Sequence, residues 1–227
     1  MKHHTTRILH ACEKNNWNIL QPKTARTLIL GSFNPYNSKL KDHTDFYYGR
    51  IPKGGGGNRL WSIIGKIKYQ NPHHFRENLE NKIKELNVSG FMFLDLIKSI
   101  EFDCQNENVL IDYVEKKVLK NFGDNDIWKT KTKYLNEKIK LTRNYNKEII
   151  DVLNNSSSID TVLNTMGKTR GDLNFNLRDS NWVNFKNEIT EICDSKNIRI
   201  IEDSVSPAPQ GKSEKDLIHW VKKYILN

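Results

Sequence analysis

Four short apolar runs alternate with stretches of helical periodicity along this chain of 227 residues. The first run carries Leu28, Ile29 and Leu30 in succession, so the strand that it predicts is apolar on both faces. Strands of this kind are typical of a parallel sheet that is covered by helices on both sides. Because strands and helices alternate, we expect an α/β fold, a three-layer α/β/α sandwich with a central four-stranded parallel sheet. The predicted strands span residues 24–32, 88–96, 158–164 and 198–203.

Apolar residues at helical spacing fill the segments between these strands. Residues 60–67 show this spacing, and a closing helix is predicted to begin at Ser213, with Asp216 three residues on as in a capping box. The charged stretch 105–147 predicts an insertion or a helical excursion within a single domain over residues 1–227. The other predicted helices cover residues 7–17, 75–86, 109–119, 147–153 and 182–193.

Charge and cysteine content limit the classes of function. The formal net charge of +9 favours a polyanionic partner, although a solvated basic surface gives the same balance. The three cysteines are widely spaced and form no CxxC pair, which argues against a zinc or iron–sulfur site, so we expect no cofactor. No apolar run approaches the ~20 residues of a membrane span, and the N-terminus lacks a signal-peptide pattern. We expect a cytoplasmic monomer that does not bind membranes.

The predicted topology brings four separate segments to one edge of the sheet. In a parallel α/β sheet the ligand crevice lies beyond the carboxyl ends of the strands. Gly31 ends the first predicted strand and Asp95 the second, and the segments 164–168 and 204–209 follow the other two. A strand that ends in glycine also exposes backbone N–H groups to a ligand. We therefore expect the binding site at this edge.

Five short motifs follow one another along the chain. The first is a buried strand that runs into a glycine turn, and the second joins two tyrosines to an amide at a helix start. Aromatic rings and an amide can stack on a nucleobase and hydrogen-bond its edge. The motifs are Leu-Ile-Leu-Gly-Ser-Phe-Asn-Pro at 28–35, Phe-Tyr-Tyr-Gly-Arg at 46–50 with Asn-Arg-Leu-Trp at 58–61, Phe-Leu-Asp-Leu-Ile at 93–97, Thr-Met-Gly-Lys at the end of 159–168, and Ser-Val-Ser-Pro-Ala-Pro at 204–209.

In this order the motifs resemble those of the uracil-DNA glycosylase superfamily, in particular its mismatch-specific and hypoxanthine-type branches. The resemblance implies a hydrolase of DNA repair, a monofunctional DNA glycosylase that flips and excises a deaminated or modified base. The chain departs from the family in its glycine run at 53–57, in the length of 105–147, and in having no histidine before Ser206. The identity of the base therefore stays open.

The resemblance implies a side-chain amide or carboxylate that positions the attacking water. Asn58 is the first candidate, and a pure helix N-cap is the alternative. Asn34 is the second, because the mismatch-specific branch carries its amide in a Gly-x-Asn-Pro motif that is one residue longer here; its alternative is a turn residue. Asp45 would activate water if neither asparagine does, unless it is a solvated loop residue. For Asp95 a helix cap or an ion pair is the alternative to a role in the site.

Other residues are expected to hold the base and the DNA. One of Tyr47 and Tyr48 would stack on the base while the other packs beneath it, and two core aromatics are the alternative. The base-binding set also includes Gly31, Ser32 and Phe33, whose ring could lie against the flipped base. The candidate DNA contacts are Lys168, Arg170, Ser204, Ser206, Pro207 and Lys212.

Two other classes of function fit the same residues. A catalytically silent nucleic-acid-binding module with this fold would show salt-sensitive binding without excision. An α/β enzyme that acts on a free nucleoside or nucleotide would turn over small substrates and ignore the polymer. The basic composition counts against the second class. A preference for duplex or single-stranded DNA, or for RNA, does not follow from the residues.

Overall fold

The structure is a computed structural model that describes residues 3–36, 45–49, 58–122, 124–165, 179–202 and 213–226. It is a mixed α/β fold with two four-stranded sheets. The strands are β1 His4–Leu9, β2 Thr27–Gly31, β3 Phe91–Asp95, β4 Ile97–Cys104, β5 Lys131–Tyr134, β6 Glu137–Tyr145, β7 Thr161–Asn164 and β8 Arg199–Ile201. The helices are α1 Ala11–Asn15, α2 Leu60–Tyr69, α3 Leu79–Ser89, α4 Glu107–Tyr113, α5 Leu119–Asn121, α6 Asp124–Ile127, α7 Glu148–Asn155, α8 Ser180–Ser195 and α9 Glu214–Tyr224, with a 3-10 turn at Trp17–Leu20 and a π-helical turn at Val114–Val118.

The predicted four-stranded parallel sheet is confirmed. Its strand order is β3-β2-β7-β8, and each neighbouring pair is parallel. Each of its strands lies within one of the four apolar runs. The register pairs Gly31 with Asp95, and Leu30 with Asn164. The carboxyl ends of β2, β3 and β7 therefore lie almost level at one edge.

Both faces of the parallel sheet are buried, which explains why its strands are apolar on both sides. Leu28, Leu30 and Val162 belong to one apolar cluster, which includes side chains of α7 and α8. Ile29 and Leu163 point to the other cluster, which includes side chains of α2 and α9. Each face of the parallel sheet thus contributes to an apolar cluster that also contains helical side chains.

A second, antiparallel sheet in the order β1-β4-β6-β5 was not expected from the sequence. The prediction of a helix over 7–17 was wrong in its first part, because residues 4–9 form β1 and pair with β4 before the short helix α1 begins. In the stretch 105–147, the short helices α4, α5 and α6 come first, and β5 and β6 then form a hairpin. Ile139 and Leu141 on β6 are buried and hold that hairpin on the core.

The predicted N-cap of α9 at Ser213 is confirmed, with the Asp216 carboxylate bound to the Ser213 hydroxyl and not to its backbone N–H. The Asp216 backbone N–H donates to Ser213 Oγ at 3.2 Å, and Ser213 Oγ donates to the Asp216 carboxylate at 2.7 Å. Asn106 closes the start of α4 in the same manner, by accepting from the Val109 N–H at 3.2 Å. A cap of this kind contributes about 1 kcal/mol to stability.

Arg143 of β6 is a buried cation that ties the second sheet to α8. Its guanidinium donates to Lys129 O at 2.7 Å, to Ile127 O at 3.2 Å and to Asp179 Oδ2 at 2.9 Å. Tyr145 Oη also donates to Asp179, at 3.1 Å. Burial disfavours the ionised carboxyl, but the hydrogen bonds from Arg143 and Tyr145 hold the pKa of Asp179 below its ordinary value.

We expect Arg143→Met to lower the free energy of unfolding by about 3–5 kcal/mol, since it leaves two carbonyls without their donor and Asp179 without its cationic partner. The matched change Arg26→Met breaks an exposed ion pair with Asp160, and we expect it to cost less than about 1 kcal/mol. Urea unfolding at neutral pH measures both. The lowered pKa of Asp179 stabilises the folded protein at any pH above 3.8, the ordinary pKa of an aspartate. This stabilisation is lost as the pH falls through the lower pKa that Asp179 has in the folded state. The difference in unfolding free energy between wild type and Arg143→Met should therefore shrink in acid. Equal costs for the two variants would contradict this assignment.

Candidate functional site

The carboxyl ends of the parallel strands gather polar side chains at one edge. Gly31 of β2 and Asp95 of β3 are register partners there. Asn164 is the last residue of β7, and Thr165 follows it. Asn164 is fully buried and donates through Nδ2 to Glu202, which follows β8, at 3.1 Å. Segments that are far apart in sequence therefore meet at this edge, where ligands of parallel sheets bind.

Asp95 is held by a histidine from the N-terminal segment. His10 has no exposed surface, and its Nε2 lies 2.6 Å from Asp95 Oδ2. Asn146 fixes the same strand end by donating its side-chain N–H to Asp95 O at 3.1 Å. No described residue hydrogen-bonds to the other carboxylate oxygen, Oδ1, which lies against Gly31. One oxygen of Asp95 is thus anchored, and the other faces the glycine turn.

The proton on His10 faces Asp95. The Cys12 backbone N–H donates to His10 Nδ1 at 3.0 Å, so Nδ1 is an acceptor and Nε2 carries the proton. Burial alone would lower the pKa of His10, but the charge of Asp95 and the hydrogen bond to it outweigh burial and raise that pKa. A second proton would have to displace the Cys12 N–H from Nδ1. In either protonation state Nε2–H donates to Asp95 Oδ2.

Tyr48 is the member of the tyrosine pair that reaches the strand ends. It adopts a φ of 55°, in the left-handed region that bulky residues rarely occupy. Thr165 Oγ1 donates to Leu30 O at 2.9 Å, so Tyr48 Oη, 2.8 Å from Oγ1, is the donor to it. A Cβ on Gly31 would lie 2.2 Å from Asp95 Oδ1 and 2.8 Å from Tyr48 Oη, so any larger residue there would displace both groups. A bulky residue with a positive φ, such as Tyr48, is strained, and strain of this kind is often found at functional sites.

The segment 45–49 is anchored below this edge. Trp61 Nε1 donates to Tyr47 O at 2.7 Å, and the buried Lys82 Nζ lies 2.7 and 2.6 Å from the two carboxylate oxygens of Asp45. Burial lowers the pKa of Lys82, and Asp45 partly offsets that effect. Asp45 is therefore an ion-pair partner that fixes the segment. This pairing does not favour a role for Asp45 as a base. It also means that Asp45 is not a solvated loop residue.

Tyr47, in contrast, is a core residue with 2% of its surface exposed. Its ring stacks on Phe93 at 5.7 Å between centroids, and its hydroxyl donates to Asn18 Oδ1 at 2.8 Å. Burial, and after it the nearby Cys12 and Asp95, raise the pKa of Tyr47 well above its ordinary value. This burial fits both the tyrosine that was expected to pack beneath the base and the alternative of a core aromatic.

The other first-motif residues are divided between packing and the chain turn. Phe33 is 7% exposed and packs edge-on against His10 and Phe122. Ser32 and Asn34 are half-buried; their carbonyls accept from the N–H groups of Ile97 and Ala11, at 3.1 and 2.8 Å. These bonds hold the glycine turn against the N-terminal segment.

Asn58 lies two residues before the first residue of α2, next to the N-cap residue Arg59. Its Oδ1 accepts from the Leu60 N–H at 3.0 Å and so satisfies the first N–H group of the helix. Within the described part of the chain, the side-chain nitrogen of Asn58 has no hydrogen-bond partner. The amide oxygen therefore has this capping role, and the N–H₂ group keeps its capacity to donate.

The expected DNA contacts lie outside the described residues. They are Lys168, Arg170, Ser204, Ser206, Pro207 and Lys212. They belong to the two segments that follow β7 and β8, and they stay predictions.

Two residues at this edge, His10 and Glu202, were missed from the sequence. His10 gave no local signal, because it comes from a segment 85 positions away from Asp95. Glu202 follows directly after β8, and its position after a parallel strand was a signal that could have identified it. Thr165 lies in the segment 164–168 that was expected at this edge.

Comparisons with known proteins add no assignment. No family model, no curated protein and no solved structure matches this chain. Over the described ranges, no group of three or more His, Cys, Asp or Glu could hold a metal ion. In the same ranges, no helix is long and apolar enough to cross a bilayer.

Proposed function

We propose that this chain is a monofunctional DNA glycosylase that removes a deaminated or modified base by water-assisted hydrolysis. One observation carries the proposal: Gly31, Tyr48, Asp95 and Asn164, which belong to four of the five motifs, lie together at the carboxyl edge of one parallel sheet. That edge is where such a fold binds its ligand. The net charge of +9 supports a polyanionic substrate.

The geometry supports a division of roles in the reaction. We assign the flipped nucleotide to the edge where Asp95 and Tyr48 lie against Gly31; a Cβ at Gly31 would lie 2.2 Å from Asp95 Oδ1, so the glycine is what lets these two side chains reach the strand end. The C1′–N bond breaks with its electron pair leaving on the base, and water adds to C1′ while its proton passes to Asp95. His10 orients the Asp95 carboxylate. The Asn58 N–H₂ group donates to the departing base, and the ring of Tyr48 stacks on it.

The proposal includes the layered form of the fold. We assign the helices on the two faces of the parallel sheet to the outer layers of an α/β/α sandwich, in a single domain that also contains the second sheet. The two apolar clusters on opposite faces of the sheet support this layering.

An assay for abasic-site formation tests the proposed function. Purified protein is mixed with duplex and single-stranded oligonucleotides that carry uracil, hypoxanthine, xanthine or hydroxymethylated bases, and alkali then cleaves any abasic site. We expect cleavage at one modified base and none in the unmodified control. Salt-sensitive binding without cleavage of any base would favour the silent binding module, and turnover of free nucleosides without polymer cleavage would favour the small-molecule enzyme.

A further inference from the structure

The hairpin β5–β6 carries four lysines on one face. The register places Lys131 opposite Lys140 and Lys133 opposite Lys138, and all four side chains are exposed. Directly opposite like charges destabilise a pair of strands. This face therefore lowers the stability of the hairpin unless an anionic partner covers it.

The described residues form no close ion pairs with this face, although Asp103 lines the same cavity as Lys131, Lys138 and Lys140. None of the described residues forms an ion pair within 4.0 Å with any of the four lysines. Asp103 on β4 is the register partner of Lys140, but its carboxylate lies 2.7 Å from His3 and 3.5 Å from Thr5. Lysines on an edge strand also prevent aggregation, which would explain Lys131 and Lys133 on β5. It does not explain Lys138 and Lys140, because β6 lies between β4 and β5.

The opposite face of the hairpin fixes it on the core. Tyr134 Oη donates to Asp112 Oδ2 at 2.6 Å, and its ring lies 5.4 Å from that of Tyr113. Ile139 and Leu141 are buried. The lysine face is thus held in one orientation.

The tip of the hairpin is an exposed leucine in a strained turn. Leu135 and Asn136 have φ values of 45° and 67°, as in the type I′ turns that favour Asn and Gly. A leucine is disfavoured in this conformation, and 64% of its surface is exposed. Neither folding nor solubility favours this residue here, whereas an apolar contact with a partner would.

The hairpin is connected directly to the candidate site. Asn146, the residue that follows β6, donates its side-chain N–H to Asp95 O at 3.1 Å and its backbone N–H to Leu96 O at 2.9 Å. At about 3.4 Å per residue, the Cα atoms of Lys140 and Lys138 lie roughly 20 and 27 Å back along β6 from it. With one phosphate per ~3.4 Å along each DNA strand, that distance corresponds to about six to eight base pairs.

We propose that the β5–β6 hairpin binds nucleic acid: its lysines contact phosphates six to eight base pairs from the reacting base, and Leu135 packs on the apolar sugar and base surface of the minor groove. The choice of nucleic acid rests on the proposed function. Proteins that bind the minor groove often combine basic residues with an apolar wedge of this kind.

Salt-dependent binding to unmodified duplex DNA tests the lysines. We expect the double variant Lys138→Gln/Lys140→Gln to lower the slope of log K against log salt by about 1.8, at about 0.9 per lost phosphate contact. The control Lys84→Gln/Lys222→Gln removes the same charge from exposed lysines on α3 and α9 and should leave the slope unchanged. Equal slopes for both doubles would overturn the inference while leaving the glycosylase proposal intact. A changed slope in a protein that excises no base would uphold the hairpin and reject the glycosylase.

Leu135→Asn separates binding from folding. Asparagine suits the left-handed conformation, so we expect the free energy of unfolding to stay the same or to rise. DNA affinity should nevertheless fall by about threefold to tenfold, because apolar contact area is lost. Unchanged affinity would overturn the role of the leucine.

Should the hairpin variants instead weaken binding to phosphatidylcholine–phosphatidylserine vesicles and leave DNA binding unaltered, the surface would be a lipid contact and the inference would fail.

Discussion

Replacing Asp95 with asparagine is expected to slow base excision by about 10²- to 10⁴-fold while leaving the fold intact. Asparagine has nearly the same shape, and its Oδ1 can still accept the proton of His10 Nε2. It cannot take a proton from water, so water that attacks C1′ would lose its base. The anchored geometry of Asp95 is thus kept and its chemistry is removed.

Single-turnover excision of the preferred base measures this effect, and urea unfolding measures the fold. Asp160→Asn is the matched control, because Asp160 precedes β7 at the opposite edge of the same sheet, where it pairs with the exposed Arg26. We expect the control to excise at the wild-type rate. An Asp95→Asn protein that does the same would remove Asp95 from the reaction and leave it a structural partner of His10.

The parallel sheet was predictable because its signal is local. Runs such as Leu28-Ile29-Leu30 are apolar on both faces, and a strand with helices on both sides requires this. Once the strands were known to be parallel, topology alone assigned Gly31 and Asp95 to the same edge. This part of the site followed from the chain order of strands and did not depend on any one motif.

The antiparallel sheet was missed although its strands carry the alternation of half-buried strands. On β6, Ile139, Leu141 and Arg143 are buried in alternation with exposed residues. The high lysine content obscured this period-two pattern and suggested a solvated helix or insertion. The buried Arg143 further weakened the apolar signal, since its burial depends on Asp179, which is distant in sequence.

Within the site, the sequence could not assign roles that depend on distant contacts. The sequence gave Tyr47 and Tyr48 as a pair and could not say which ring reaches the edge. In the structure Tyr48 has a positive φ, and its ring lies at the edge while that of Tyr47 lies in the core. Asp95 had an ion pair as its alternative, and its partner His10 comes from a segment where a helix was expected. Long-range pairing of this kind leaves no periodic trace in the chain.

Asn58 offers the second large effect, because its two roles use different atoms. Asn58→Asp keeps an oxygen that accepts from the Leu60 N–H, so we expect little change in the free energy of unfolding. It removes the N–H₂ donor and places a negative charge beside the departing base. Excision should therefore fall by about 10²- to 10³-fold, the effect of losing one donor to a developing anion.

Asn58→Ala removes both roles and should also lower stability by about 1 kcal/mol. Asn106→Ala is its control, since it deletes the side-chain cap of α4, which packs on the second sheet, and should cost about as much stability without loss of excision. Comparing the three variants by single-turnover excision and urea unfolding separates the cap from the donor. If Asn58→Asp excises at the wild-type rate, then Asn58 is a helix cap alone, and the donor to the departing base must come from another part of the chain.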